Sequence, residues 1–129
     1  MPGKLSLVED NRILYFKYTN PLRVEDIEGV NREAKPYFDK AERVLHVLIN
    51  VDEIRLVPPG VLRTRDVTAL THPRSGQIAI VGASLFVQSL SEAIFKVVRY
   101  SRAKFFHSDE EALVYLRGIL VEELVPSLV

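Results

Sequence analysis

Two segments of this chain are apolar at nearly every position, and they constrain its fold more than any other feature. They are VLHVLINV at residues 44–51 and QIAIV at residues 77–81. A strand with one solvated face alternates apolar and polar residues, whereas a strand covered by helices on both faces is apolar throughout. Both segments are far shorter than the roughly 20 apolar residues that span a bilayer. We therefore predict that they lie side by side as interior strands of a helix-covered sheet.

The remaining segments alternate between strand and helix patterns. Two strands, Leu5–Val8 and Arg12–Tyr18, are predicted to form an N-terminal hairpin, and a last strand is predicted at Ala103–His107. Apolar spacings of three and four predict four helices: Val24–Ala41, Val61 to Leu70 or Thr71, Leu85 to about Tyr100, and one from Asp109 onward. The predicted fold is α/β, with the order β-β-α-β-α-β-α-β-α. Its mixed, mostly parallel sheet has about five strands and an antiparallel N-terminal hairpin.

Two helices carry more specific expectations. Pro36 lies inside the first helix and should kink it or end its first part. The apolar stripe of the third helix is assigned to six residues: Phe86, Leu90, Ala93, Ile94, Val97 and Val98. Ser108 and Glu111 have the spacing of a capping box at the start of the fourth helix.

Size and composition favour one globular domain over residues 1–129, with a core at about 5–118 and a C-terminal tail at 119–129. The 17 basic and 17 acidic side chains cancel, which disfavours nucleic acid as a partner. The absence of cysteine excludes disulfides and zinc–sulfur sites. The first residues have no long apolar region, so a cytoplasmic protein without a membrane span is expected.

The residues that ordinary catalysis requires are sparse. His46, His72 and His107 do not have the spacing of metal ligands on one helix, and His46 is expected to be a hydrogen-bonded core residue. Ser84 follows a strand and is better explained as a helix N-cap than as a nucleophile. The glycine-rich phosphate-binding motifs are absent. We therefore expect no enzymatic activity, no cofactor and no metal.

The order of elements resembles the STAS domain, the fold of bacterial anti-sigma-factor antagonists of the SpoIIAA type. The resemblance covers residues 5–118 and is carried by VLHVLINV with the loop after it, by QIAIVGAS and by FFHSDEEALVYL. It is greatest to the SpoIIAA-like branch, whose fold is related to the CRAL-TRIO lipid-transfer domain. The resemblance implies a regulatory module that binds a protein partner such as a kinase or an anti-sigma-like protein.

One motif departs from that family. Antagonists carry an Asp-Ser-Ser/Thr-Gly-type motif after the central strand, and a partner kinase phosphorylates its serine. Here the matching stretch is Val57-Pro58-Pro59-Gly60-Val61-Leu62, and proline has no hydroxyl to phosphorylate. The phosphorylation switch therefore does not carry over at that position, and the nearest hydroxyl is that of Thr64. The candidate partner-binding residues are Val57, Pro58, Pro59, Gly60, Arg63 and Thr64.

Four arginines also surround this region in the predicted topology: Arg55, Arg63, Arg65 and Arg74. Together with the free amides of a helix start they would attract an anionic ligand or an acidic surface, although solvated surface arginines are the common alternative.

Two functions follow from these observations. The favoured one is a non-catalytic protein-interaction module that uses the Pro58–Thr64 loop and the face of the second helix. The alternative is a carrier of a small apolar ligand or lipid, which requires a pocket of about 300 Å³ or more. A homodimer through an edge strand or through the Leu120–Val129 tail is compatible with either function.

Overall fold

The computed structural model describes residues 2–124 of the chain. Its five strands are Gly3–Val8 (β1), Ile13–Tyr18 (β2), Leu45–Asn50 (β3), Ser75–Val81 (β4) and Ala103–Phe106 (β5). Its four α-helices are Val24–Lys40 (α1), Thr68–Thr71 (α2), Leu85–Val98 (α3) and Asp109–Leu124 (α4). A single 3₁₀ turn, Val61–Arg63, precedes α2. The α/β class and the order of elements predicted from the sequence are confirmed.

The five strands form one sheet in the order β1-β2-β3-β4-β5. β1 pairs antiparallel with β2, and every other pair is parallel. The predicted adjacency of the two apolar segments is confirmed, since Val47 pairs with Ile78 and Ile49 with Ile80. Because each parallel connection moves one strand in the same direction, right-handed crossovers place α1, α2 and α3 on one face of the sheet.

Alternating side chains of the strands divide the core into two layers. Leu14, Phe16 and Val47 face α1–α3, and Val30, Ala34 and Phe38 of α1 pack against that layer. The other face carries Ile13, Leu48, Ala79 and Val81, and α4 covers it with Ala112 and Leu116. This period of two explains why β3 and β4 are apolar on both faces.

Helix α4 is fixed to β3 at three points, and it runs antiparallel to that strand. Near its start, Asp109 accepts a hydrogen bond from the side-chain amide of Asn50 at 2.7 Å. In the middle, Leu116 packs in the same core layer as Leu48, and neither side chain is exposed. Near its end, Glu123 lies 2.5 Å from Nε2 of His46. His46, Leu48 and Asn50 alternate along β3, so one face of this strand contacts α4 near both of its ends and in its middle.

The second predicted helix is wrong over most of its length. Residues 61–71 contain one 3₁₀ turn, four residues without regular structure and the four-residue helix α2. The carboxylate of Glu28 accepts the backbone amides of Arg65 and Asp66, at 2.6 and 3.3 Å, and Asn31 accepts that of Ala69 at 2.9 Å. These amides are therefore committed to α1 and not to a continuous helix of their own.

Other boundaries also differ from expectation. Helix α1 continues through Pro36 to Lys40 and does not end at the proline. Helix α4 extends to Leu124, so half of the predicted tail is helical, and residues 125–129 lie outside the described residues. The predicted N-cap at Ser84 is confirmed, since its hydroxyl accepts the amide of Val87 at 3.2 Å. Ser108 accepts the amide of Glu111 at 3.2 Å, which is one of the two hydrogen bonds of the predicted capping box.

Candidate functional site

An apolar pocket lies between the sheet and α3, on the face that α1 and α2 share. Its volume is about 140 Å³. The side chains that line it include Phe16 of β2, Ile49 of β3, Ile80 of β4, and Val87, Ile94 and Phe95 of α3, together with residues of α1 and α2. The strand residues belong to the carboxyl-terminal halves of β2–β4, the end of an open α/β sheet at which ligands usually bind.

Helix α3 packs loosely over this pocket. No residue of α3 is buried, although the helix is rich in apolar side chains. The stripe predicted to face the core is wrong at three positions, since Phe86 is 65% exposed, Val97 is 83% exposed and Ala93 is also exposed. Ile94 of that stripe lines the pocket, together with Val87, Ser91 and Phe95. Because α3 is apolar around most of its circumference, residue spacing alone does not determine its rotation.

Large apolar side chains are exposed in the segments that leave the carboxyl ends of β3 and β4. They are Leu56, Leu62, Leu85 and Phe86, and each is at least 60% exposed. We call these four side chains the apolar rim. Leu56 and Leu62 lie in the connection after β3, and Leu85 and Phe86 lie in the first turn of α3. Single exposed apolar residues are ordinary, and these four make a candidate interaction surface.

Two of the four polar side chains that line the pocket, those of Asn31 and Thr64, are hydrogen-bonded within the protein. Asn31 donates to the carbonyl oxygen of Ile27 at 3.0 Å and accepts the amide of Ala69 at 2.9 Å. The hydroxyl of Thr64 donates to the carbonyl of Val61 at 2.5 Å. Burial raises the pKa of Tyr18, so that its phenol stays neutral. The pocket therefore suits an occupant that brings no charge.

The structure places the predicted partner-binding residues unevenly. Pro59, Gly60 and Arg63 are exposed, Val57 and Thr64 are half-buried, and Pro58 is buried. The loop therefore presents its tip, including Leu62 of the apolar rim, and tucks Pro58 inward. Gly60 adopts a φ of 79°, a left-handed conformation that suits glycine at the tip of this turn.

The four predicted anion-binding arginines do not form one group. Arg55, Arg63 and Arg65 lie in the connection that follows the carboxyl end of β3, whereas Arg74 immediately precedes the amino end of β4. Because β3 and β4 are parallel, Arg74 is at the opposite edge of the sheet. It donates there to the carbonyl of Glu42 at 2.8 Å.

His46 is a hydrogen-bonded core residue, as predicted, with 2% of its surface exposed. Its Nδ1 accepts the amide of Gln77 at 2.9 Å, which requires that nitrogen to be unprotonated. The proton of the neutral ring is therefore on Nε2, which donates to Glu123. With both nitrogens occupied, the ring has no free lone pair for a metal or a substrate proton.

The other two histidines are peripheral. His72 caps α2, and its Nε2 lies 2.8 Å from Asp39. His107 is exposed after β5. In the part of the chain that the structure describes, no three His, Cys, Asp or Glu side chains are grouped as metal ligands would be.

The sequence did not predict a polar cluster at the carboxyl edge of the sheet, on the α4 face. The Tyr15 hydroxyl donates to Asp109 at 2.7 Å, and Lys17 donates to Asn50 at 3.0 Å and to Asp52 at 2.8 Å. Burial, followed by the hydrogen bond to Asp109, raises the pKa of Tyr15 to about 12. The polar residues at the ends of β2 and β3 were the available signal. Since these groups satisfy one another, the cluster anchors the start of α4.

No family model, curated protein or solved structure matches this chain. None of the helices within residues 2–124 is long and apolar enough to cross a membrane. The fold and the pocket thus define a small α/β protein with an apolar cleft at the carboxyl edge of its sheet.

Proposed function

We propose that this protein is a non-catalytic binding protein that holds a small apolar ligand between its sheet and helix α3. The observation that carries the proposal is the apolar pocket lined by Ile49, Ile80 and Ile94, in which Asn31 and Thr64 are already hydrogen-bonded within the protein. Filling such a space removes apolar surface from water while these two side chains keep their hydrogen bonds. The kinship of the resembled family with lipid-transfer domains supports the same function.

The size of the pocket sets how the ligand enters. The pocket has about 140 Å³, which is less than the volume of about 300 Å³ or more that a carrier of a drug-sized ligand was expected to need. A cavity of about 150 Å³ accommodates benzene. A larger ligand requires α3 to move away from the sheet, and α3 has no buried side chain to resist that movement. The apolar rim would then receive the part of the ligand that protrudes.

The test compares two variants that carry the same substitution on the same helix. Ser91 lines the pocket, and Ser91→Leu fills it. Ser89 is exposed two residues earlier, and Ser89→Leu adds equal apolar surface outside the pocket. We expect native protein extracted with organic solvent to release an apolar compound that mass spectrometry identifies. The Ser89→Leu protein should carry the same compound, and Ser91→Leu should not.

Benzene provides a second readout that does not depend on a copurified ligand. Its addition should shift the methyl resonances of Ile49, Ile80 and Ile94 in a carbon–proton correlation spectrum. No copurified compound together with unshifted methyl resonances would rule out the carrier function.

The apolar rim favours a second function, docking of a regulatory protein partner, which the resemblance to antagonist domains implies. Such a partner would contact Leu62, Phe86 and the tip of the Val57–Thr64 loop, all of which reach solvent. Apolar and aromatic side chains at the centre of an interface supply most of its binding energy.

Phe86→Ser tests this second function, with Val114→Ser as its control because Val114 is 67% exposed on α4, on the other side of the sheet. Cross-linking in source cells followed by mass spectrometry should recover a partner from the wild type and from Val114→Ser. Phe86→Ser, and a form with residues 57–64 replaced by a glycine–serine linker, should lose it. Equal recovery from all four proteins would exclude docking at the rim.

A further inference from the structure

One arginine stands just before each of the four parallel strands. Arg12 precedes β2 and Arg43 lies two residues before β3, while Arg74 precedes β4 and Arg102 precedes β5. Parallel strands begin at the same edge of a sheet, so the four arginines share its amino-terminal edge. Backbone hydrogen bonds align three of them. The amide of Leu45 donates to the carbonyl of Arg74 at 2.8 Å, that of His46 to the carbonyl of Arg12 at 3.1 Å, and that of Ile78 to the carbonyl of Arg102 at 3.0 Å.

The guanidinium of Arg102 is held in place by neutral groups. Its Nε and Nη2 donate to the carbonyls of Gly76 and Ser75, at 3.4 and 3.3 Å, and it lies 4.7 Å above the ring of Tyr100. Both carbonyls belong to a bulge in β4, where the pairing with β3 shifts by one residue. Bulges often direct side chains at functional sites. The guanidinium of Arg102 is thus held in one orientation by uncharged groups, and its positive charge is not neutralised by a carboxylate.

Arg43 and Arg102 line the same open cavity of about 680 Å³. Neither forms an ion pair with any residue in the described range 2–124. Glu123 is the one acidic residue among the described residues that line this cavity. Its carboxylate is already bound by Arg12 at 2.8 Å and faces Nε2 of His46. The cavity therefore presents two arginines whose charge is not matched locally.

We infer that this cavity binds a small organic anion that carries phosphate or carboxylate groups. The guanidinium fork matches the geometry of both groups, and orientation in advance reduces the entropy lost on binding. The cavity has the volume of an ordinary ligand site. It lies at the opposite edge of the sheet from the apolar pocket, so the inference stands whether or not the carrier function is correct.

Isothermal titration of the full chain with pyrophosphate and with citrate, at low salt, tests the inference. Arg43→Ala removes an exposed side chain, and Arg102→Lys keeps the charge but loses the fork. We expect each variant to weaken the binding of at least one probe about tenfold or more. Arg32→Ala is the matched control, because Arg32 is an exposed arginine of α1 that does not line this cavity and should bind as the wild type does.

A lipid headgroup could supply the same anionic chemistry, so flotation with vesicles of phosphatidylcholine containing phosphatidic acid forms a second arm. Titration heats that depend on Arg43 identify a soluble anion. Flotation that depends on Arg43, without binding of either soluble probe, identifies a lipid headgroup. The inference is overturned if Arg43→Ala changes neither measurement, or if Arg32→Ala weakens binding as much as Arg43→Ala does.

Discussion

Gly76 lies in the bulge of β4, where the backbone passes directly beside the imidazole of His46. A Cβ at this position would stand 2.5 Å from His46 Nδ1 and would also overlap Cγ1 of Val44. Since His46 is buried and hydrogen-bonded on both nitrogens, it has little room to move. We expect Gly76→Ala to lower the free energy of unfolding by about 1–3 kcal/mol in urea denaturation, the usual cost of overpacking a core.

Gly118 provides the opposite case and serves as the control. It is exposed within α4, and a Cβ there would meet nothing within 4 Å. Glycine inside a helix costs about 0.8–1.0 kcal/mol relative to alanine. Gly118→Ala should therefore raise the free energy of unfolding by about that amount. If both substitutions destabilise the protein equally, the crowding at Gly76 is not the cause.

Tyr15 should make the protein sensitive to alkali. Burial and the hydrogen bond to Asp109 raise the pKa of its phenol to about 12 in the folded state, against about 10 in an unfolded chain. Between these pH values the folded protein holds a proton that the unfolded chain has released, so the free energy of unfolding falls as pH rises. Denaturation at pH 9 to 12 should show this loss, and Tyr15→Phe should have a shallower slope. Equal slopes would contradict the assignment.

At the scale of elements, α3 and α4 cover opposite faces of the same sheet but differ in how tightly they pack against it. Helix α4 buries Ala112 and Leu116 completely and is fixed near both ends by hydrogen bonds. Helix α3 buries no residue and lies over the apolar pocket. The difference in packing implies that α3 opens locally at a lower free energy than α4 does.

Native-state hydrogen exchange measures that difference directly. Amides in the middle of α3 should exchange at least about tenfold faster than amides in the middle of α4. Filling the pocket by Ser91→Leu should slow exchange in α3 and leave that in α4 unchanged, whereas Ser89→Leu should alter neither helix. Equal protection of the two helices in the wild type would mean that α3 does not act as the movable wall of the pocket.

The same elements show how far the sequence could predict the fold. β3 and β4 were predictable because strands covered on both faces have an unmistakable apolar pattern. The irregular stretch before α2 was not predictable, because Glu28, distant in sequence, binds the amides of Arg65 and Asp66. Asn31 likewise binds the amide of Ala69 within α2. The rotation of α3 was not predictable either, since an apolar circumference leaves several rotations equally acceptable.

The candidate sites were predictable in part. The Val57–Thr64 loop was located from its proline and glycine residues, and its exposed tip lies where the topology placed it. The four candidate anion-binding arginines were grouped by their proximity in sequence. That grouping was wrong for Arg74, which lies at the amino-terminal edge of the sheet, whereas the other three follow the carboxyl end of β3. The arginines that precede successive parallel strands were visible in the sequence, and topology was needed to show that they share one edge. The apolar pocket required the packing of α3, which no local pattern contains.

At the scale of the whole molecule, the two proposed sites lie at opposite edges of one sheet. The interior strands between them are buried on both faces and paired with neighbours on both sides. Coupling between distant sites requires an element with two arrangements that both ligands influence. Helix α3 is the loosely packed element, and it belongs to the apolar pocket alone.

We therefore expect the two ligands to act independently. A ligand present at about 100 times its Kd raises the free energy of unfolding by about 2.7 kcal/mol. Benzene and pyrophosphate, each added at such a ratio, should produce stability increments that sum within error. Benzene should also slow hydrogen exchange in α3 more than it slows the exchange of amides that open only by global unfolding. Pyrophosphate should slow both by the same factor. If pyrophosphate changes the affinity for benzene, the two sites are coupled, and the sheet transmits a rearrangement between its two edges.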